Sequence, residues 1–113
     1  MHEYAIVQSL LDRVEEAARS HGATAVRRLS VRLGELAGVE PALLATAYTL
    51  CRERSICAHA ELDIQRIAAR WECPRCASAI VRGTILRCPV CAAPARLAAG
   101  DEIILERIEM EVP

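Results

Sequence analysis

The sequence predicts an α+β fold: two helices packed on one face of a three-stranded sheet, with a four-cysteine module inserted between the second and third strands. Three observations carry this reading. Apolar residues recur every three or four positions in two stretches and every second position in three others, the periods of helix and strand. Two Cys-x2-Cys pairs, Cys73/Cys76 and Cys88/Cys91, stand with eleven residues between them. Strand-like alternation runs up to the first pair and resumes after the second, so the cysteines interrupt a sheet. The expected division is an α/β unit of residues 1–72 and 97–113 and an inserted unit of residues 73–96.

The first element spans residues 4–20. Val7, Leu10, Leu11, Val14, Ala17 and Ala18 form one stripe, while Gln8, Asp12, Glu15, Glu16 and Arg19 fill the opposite face, the pattern of an amphipathic helix. His21-Gly22 closes it, the glycine suited to a left-handed cap and the histidine to the negative end of the helix dipole. Residues 25–33 then alternate as a strand, with Leu29, Val31 and Leu33 facing one way and Arg28, Ser30 and Arg32 the other. Gly34 to Gly38 breaks the period. Pro41 opens the second helix, where its missing N–H costs nothing, and Leu43, Leu44, Ala47, Tyr48 and Cys51 mark its expected buried stripe. Cys57 falls in the following loop as a free thiol without an evident partner, and His59 beside it reads as solvated loop. A second strand begins at Glu61 and is expected to run on to Trp71. Residues 92–100 read as loop. Residues 101–112 form the third strand, with Ile104, Ile108, Met110 and Val112 on one face and Arg107, Glu109 and Glu111 on the other.

Composition bounds the function. Apolar residues make up 53% of the 113, aromatics only 3%, and phenylalanine is absent, so the core is aliphatic and modest. The net charge of −1 favours neither nucleic acid nor a membrane surface. All fourteen basic residues are arginine, a bias of composition. No basic leader with an apolar run opens the chain and no stretch is long enough to span a bilayer, which leads us to expect a cytoplasmic protein. In that reducing compartment disulfides are rare.

The paired cysteines carry the clearest chemistry. Each Cys-x2-Cys turn converges two sulfurs on one point, and two such turns complete a tetrahedron suited to Zn2+. Four protein ligands leave no open position, so the site is structural. Spacing alone also admits iron, but a thioredoxin-like redox motif needs only one pair opening a helix in a βαβ unit. The module is too small to bury a core of its own, so this zinc-ribbon-like domain depends on its ion. Residues 70–96 hold five arginines (70, 75, 82, 87, 96) against Glu72, a net +4 that a tetrathiolate zinc lowers to +2. This basic face is solvated or docks an acidic partner; nucleic acid is disfavoured, because Trp71 is the only aromatic nearby.

The amino terminus offers a second kind of site. His2 follows Met1 directly, and a side chain of its size prevents removal of the initiator methionine. The His2 imidazole, the His2 and Glu3 backbone nitrogens and the terminal amine can close small chelate rings round one ion, in the square-planar nitrogen sets that suit Ni2+ or Cu2+. Such a site is exposed and labile, as a transfer site must be; the bland alternative is a frayed chain end. No nucleophile–base pair suggests catalysis.

Met1-His2-Glu3, the segment Val31-Arg32-Leu33-Gly34-Glu35-Leu36-Ala37-Gly38-Val39-Glu40-Pro41 and the two Cys-Pro-x-Cys pairs, in this order, resemble the HypA/HybF family of hydrogenase nickel-incorporation proteins across essentially the whole chain. The resemblance implies a small α/β domain with a zinc domain, acting as a non-catalytic nickel metallochaperone. It implies nickel as transient cargo on His2 with the Glu3 backbone, approached by Glu40, and zinc on Cys73, Cys76, Cys88 and Cys91. It further implies, as partners, the maturation GTPase HypB and the [NiFe]-hydrogenase large-subunit precursor, with urease maturation proteins as further candidates. The alternative reading is a zinc-ribbon binding module. Two departures stand out: no histidine neighbours the cysteine pairs, which argues against zinc ligands that change with pH, and Ala77 and Ala92 occupy positions where glycine is common.

Overall fold

The computed structural model describes residues 2–81, 83 and 85–113. Helix α1 (Glu3–His21) is followed by strand β1 (Ala25–Gly34), helix α2 (Pro41–Cys51) with a short 3-10 turn (Arg52–Arg54), and strand β2 (Glu61–Ile67). Strands β3 (Arg70–Glu72), β4 (Ala79–Ile80), β5 (Arg96–Ala99) and β6 (Ile103–Glu111) complete the chain. They form two separate three-stranded sheets, ordered β2-β1-β6 and β4-β3-β5. The α+β class and the two helices are as expected. The second sheet draws on residues either side of the expected boundaries, with β3 ending just before residue 73 and β5 beginning at residue 96.

In the first sheet β1 is central. It runs parallel to β2, with α2 as the crossover, and antiparallel to β6. Its inward side chains Val26, Leu29 and Leu33 meet Val7, Leu11 and Val14 of α1 and Leu44, Ala47 and Tyr48 of α2. The residues on α1 at three- and four-residue spacing are the buried ones because that spacing brings them to one side. Gly22 (φ 66°) ends α1, with Ala23 N–H on the Ala18 carbonyl at 2.9 Å and Gly22 N–H on the Arg19 carbonyl at 3.2 Å, the paired bonds of a left-handed cap. The opposite face of the sheet is polar: Arg28 pairs with Glu61 and Asp63 on one side and Glu109 on the other.

Four expectations are corrected. Strand β2 stops at Ile67 instead of reaching Trp71, because its partner β1 ends with the Gly34–Ile67 pairing; Trp71 belongs to β3, in the other sheet. The expected loop at residues 92–100 contains β5, which Trp71 holds by pairing with Leu97. On β6 the core-facing residues are Ile103, Leu105 and Ile108, whereas Ile104 and Val112 are 43% and 55% exposed. The cause is a bulge: Ser30 pairs with Arg107 and Val31 with Leu105, so Glu106 is an extra residue that reverses the alternation. On α2, Leu43 points outward at 54% exposure, and the buried stripe is Leu44, Ala47 and Tyr48 with Cys51 packed beside it.

The inserted sheet grows from the end of β1, where three successive residues hold both connecting chains. Gly34 N–H donates to the Glu102 carbonyl at 2.8 Å, Glu35 N–H to the Ile67 carbonyl at 2.8 Å and Leu36 N–H to the Gly100 carbonyl at 2.6 Å. The Glu35 carboxylate accepts the Ala69 N–H at 2.8 Å. Backbones touch here. A Cβ on Gly34 would lie 2.3 Å from the Gly100 carbonyl carbon, and one on Gly100 2.5 Å from the Ala69 Cα. Gly34→Ala is therefore expected to cost about 3 kcal/mol in urea denaturation. Gly22→Ala, which meets only left-handed strain and open space, is expected to cost about 1 kcal/mol. Equal losses would show that the close approach at Gly34 relaxes freely.

Candidate metal centre

The four cysteines converge. Their Sγ atoms all lie within 4.8 Å of one another, and the Cys76–Cys88 separation is 3.8 Å. In a regular tetrahedron with arms of about 2.3 Å, the zinc–thiolate length, the vertices stand about 3.8 Å apart. The donor set thus fits a four-coordinate thiophilic ion.

The two turns that present the sulfurs are built alike. Cys73 N–H bonds to the Ser78 carbonyl at 3.0 Å and Cys88 N–H to the Ala93 carbonyl at 2.9 Å. Ala77 N–H returns to the Cys73 carbonyl and Ala92 N–H to the Cys88 carbonyl, both at 2.9 Å. To close these turns Ala77 and Ala92 adopt φ of 60° and 57°, a left-handed conformation that strains a residue bearing Cβ. Backbone N–H groups approach the sulfurs, Arg75 to Cys73 at 3.4 Å and Cys91 to Cys88 at 3.3 Å. Cys73 and Cys88 are buried with Ile80 and Ala93, against Trp71, Cys91 and Ala95.

Protons are shared unevenly among the thiols. Hydrogen bonding to Ser78, whose Oγ lies 3.2 Å from the sulfur, pulls Cys76 down to about 6. Hydrogen bonding with Cys76, then burial, pushes Cys91 up to about 12. A divalent cation removes this competition by stabilising all four thiolates together. Ser78 escaped the sequence reading, although a hydroxyl two residues after a ligand cysteine is a usable signal.

The amino-terminal residues are arranged differently. His2 is the exposed residue that starts α1, in extended conformation (φ −89°, ψ 98°), and its carbonyl accepts the Ile6 N–H at 3.2 Å. It lines a shallow groove of about 340 Å3 with Ala5, Ile6, Ser9, Arg13 and Ile103. Glu3 is the first helical residue, and the amides of a first turn have no carbonyl partner within the helix. Glu40 starts α2, exposed and without a side-chain capping bond. Among the described residues the cysteines are the only three or more ligating side chains gathered closely enough to hold an ion; His2, Glu3 and Glu40 are not so gathered. The terminal amine of Met1, invoked as a ligand, and Arg82, counted in the basic face, lie outside the described residues.

The remaining histidines and thiols fall outside both sites. His21 Nδ1 lies 2.9 Å from the Ala17 carbonyl at the helix end, and His59 is exposed. Cys57 is a free thiol in the loop as expected, but it is fully buried in the main core beside Tyr48. Burial pushes up both its thiol and the Tyr48 phenol. The loop reaches the core because Ile56 N–H donates to Glu15 at 2.9 Å and the Tyr48 hydroxyl to the Ala60 carbonyl at 2.8 Å.

Comparison with known proteins gives one answer. A family model described as hydrogenase/urease nickel incorporation, metallochaperone, hypA, matches residues 1–110. The hydrogenase maturation factor HypA of Wolinella succinogenes is 40% identical over 114 residues, covering 98% of this chain and 96% of its own length. That of Deinococcus radiodurans is 40% identical over 109 residues, covering 93% and 89%. The solution structure of the Ni metallochaperone HypA from Helicobacter pylori superposes with a TM-score of 0.76 at 30% identity, covering all of both chains.

Ala77→Gly and Ala92→Gly are each expected to stabilise the cysteine module by about 1 kcal/mol, read as slower transfer of its ion to a chelator. Cys73→Ala is expected to empty the site by elemental analysis. Cys57→Ser is expected to leave ion content unchanged and to lower global stability by about 1–3 kcal/mol, through burial of a hydroxyl in place of a thiol.

Proposed function

This chain belongs to the HypA family of nickel-incorporation metallochaperones, and from that premise we propose that it carries Ni2+ at its amino terminus and delivers it to the [NiFe]-hydrogenase large subunit during maturation. The observation that supports this reading is the placement of His2 at the exposed start of α1, next to first-turn amides that the helix leaves unpaired. The His2 imidazole with the His2 and Glu3 amide nitrogens offers the compact nitrogen set that Ni2+ takes in a square plane. Glu40 would add a carboxylate from the start of α2 when that end approaches the ion. A carrier that must surrender its cargo is served by such an exposed site.

The cysteine cluster would hold zinc as a resident ion, since four thiolates fill a tetrahedral coordination shell and leave no place for substrate. In this reading zinc supplies folding energy to the inserted module, and the protein catalyses nothing. We propose a cytoplasmic location, consistent with thiols that must stay reduced and with the finding that no helix among the described residues is long and apolar enough to cross a membrane. The proposed partners are a HypB-type maturation GTPase and the hydrogenase large-subunit precursor, with urease maturation proteins as further clients.

Nickel titration calorimetry, read with the d–d absorption of square-planar nickel, tests the site. His2→Ala is expected to abolish specific nickel binding while zinc content and unfolding stay unchanged. One residue inserted between Met1 and His2 keeps every side chain and is expected to cost most of the affinity, because it alters the chelate rings. Glu3→Ala keeps its amide and should be milder. Glu40→Gln is expected to weaken binding about tenfold, equivalent to about 1.4 kcal/mol; unchanged affinity with a lowered melting temperature would reduce Glu40 to a helix-dipole role. Full affinity in His2→Ala would overturn the proposed site.

A further inference from the structure

The inserted module carries an exposed apolar surface. Its interior consists of Ile80, Ala93 and the cysteines, against Trp71 and Ala95, while Val81, Ile85 and Val90 stand 70%, 82% and 85% exposed. Val81 and Ile85 line a groove of about 750 Å3 with Ile80, Arg87 and Pro89 among others, and Val90 follows Pro89 in the chain. So many exposed aliphatics on so small a module mark an interaction surface.

Charge indicates what fits the groove. The module's five arginines face one acid, Glu72, and Arg96 already pairs with it. Arg87 lines the groove and spends one nitrogen on the Ala92 carbonyl, and the sequence holds no carboxylate from residue 73 to residue 100. The field here is positive even after a tetrathiolate zinc contributes −2. Trp71, the single tryptophan, is half-buried and paired with Ile80 and Leu97, so the stacking platform that single-stranded nucleic acid requires is missing. An aliphatic groove with Arg87 in its lining, on a module of net positive charge, matches a polypeptide of opposite pattern.

We propose that this groove docks an extended segment of a partner protein in which aliphatic side chains alternate with carboxylates. The inference does not rest on the nickel site, since His2, Glu3 and Glu40 take no part in it.

Full-length, metal-loaded protein can be titrated with three synthetic dodecapeptides, alternating Leu/Glu, Leu/Lys and Ser/Glu, following Trp71 fluorescence. The Leu/Glu peptide is expected to bind at least about tenfold more tightly than the other two, with affinity falling as salt rises. Ile85→Asp and Val81→Asp are each expected to weaken it about tenfold while ion content, melting temperature and nickel titration stay unchanged. Equal binding of all three peptides, no binding of Leu/Glu, or binding indifferent to both substitutions would overturn the proposal. So would loss of the ion in both variants, which would make these aliphatics part of the fold. Tighter binding of an oligouridine RNA that displaces the peptide would assign the surface to nucleic acid instead.

Discussion

The close contact at Gly34 is the constraint on which the layout turns. Three consecutive N–H groups at the end of β1 reach the two chains that enter and leave the cysteine module, and the Glu35 carboxylate takes a fourth. Only backbone fits between Gly34 and Gly100. The main sheet must therefore end where it does, with β2 losing its neighbour at Ile67 and β3 starting a new sheet three residues later. The same few residues lead into the loop that ends at Glu40 and starts α2. The segment Gly34 to Glu40 thus joins sheet, module and second helix, which gives a physical reason for a motif that looks at first like an ordinary turn. Glu35 is structural in this arrangement, although in sequence it is simply another acid near Glu40.

The two candidate sites divide the chemistry by exposure and donor type. Sulfur ligands, partly buried and supplied by two rigid turns, suit an ion that stays. Nitrogen ligands at the exposed start of a helix suit an ion that leaves. The first kind of site constrains the chain and is therefore conspicuous, since four side chains have to meet. The second depends on amides that every residue possesses and on one imidazole, so the side-chain geometry of His2, Glu3 and Glu40 says little about it. This contrast is why the cysteine cluster emerges from spacing alone, whereas the amino-terminal site required the family resemblance to give its histidine weight.

The legible parts of the sequence are those governed by local rules. Helix α1 follows from its period and its glycine cap, and the knuckles follow from Cys-x2-Cys. The strained turns were foreseeable too, because Ala77 and Ala92 sit where such turns require positive φ. What stayed hidden depends on partners. The parity of β6 cannot be read past residue 105 without knowing that Glu106 bulges against β1. Strands β3 and β5 are short, and only their mutual pairing distinguishes them from loop. Leu43 matches the helical period as well as Leu44 does, and only the position of α1 decides which is covered. Cys57 sits in a segment of loop composition, yet Glu15 and Tyr48 anchor that segment over the core.

The alanines of the two knuckles sharpen the module's dependence on its ion. Left-handed alanine costs about 1–2 kcal/mol relative to glycine, and both turns carry one. Binding of a structural zinc at neutral pH is worth on the order of 10–16 kcal/mol in comparable small modules, so the ion-bound state absorbs the strain. The ion-free state has a small interior and protons distributed unevenly over its thiols. It has no such reserve. The strain raises both folded states alike and so narrows the gap between folded-with-ion and unfolded-without, but only the empty module lacks the reserve to bear it. The groove proposed as a docking surface includes Cys88 and Pro89 of the second knuckle, so it exists as a shaped surface only while the knuckle is closed. Under the proposed docking, occupancy of the cysteine site and readiness to dock would be one condition, set by four sulfurs and two alanines.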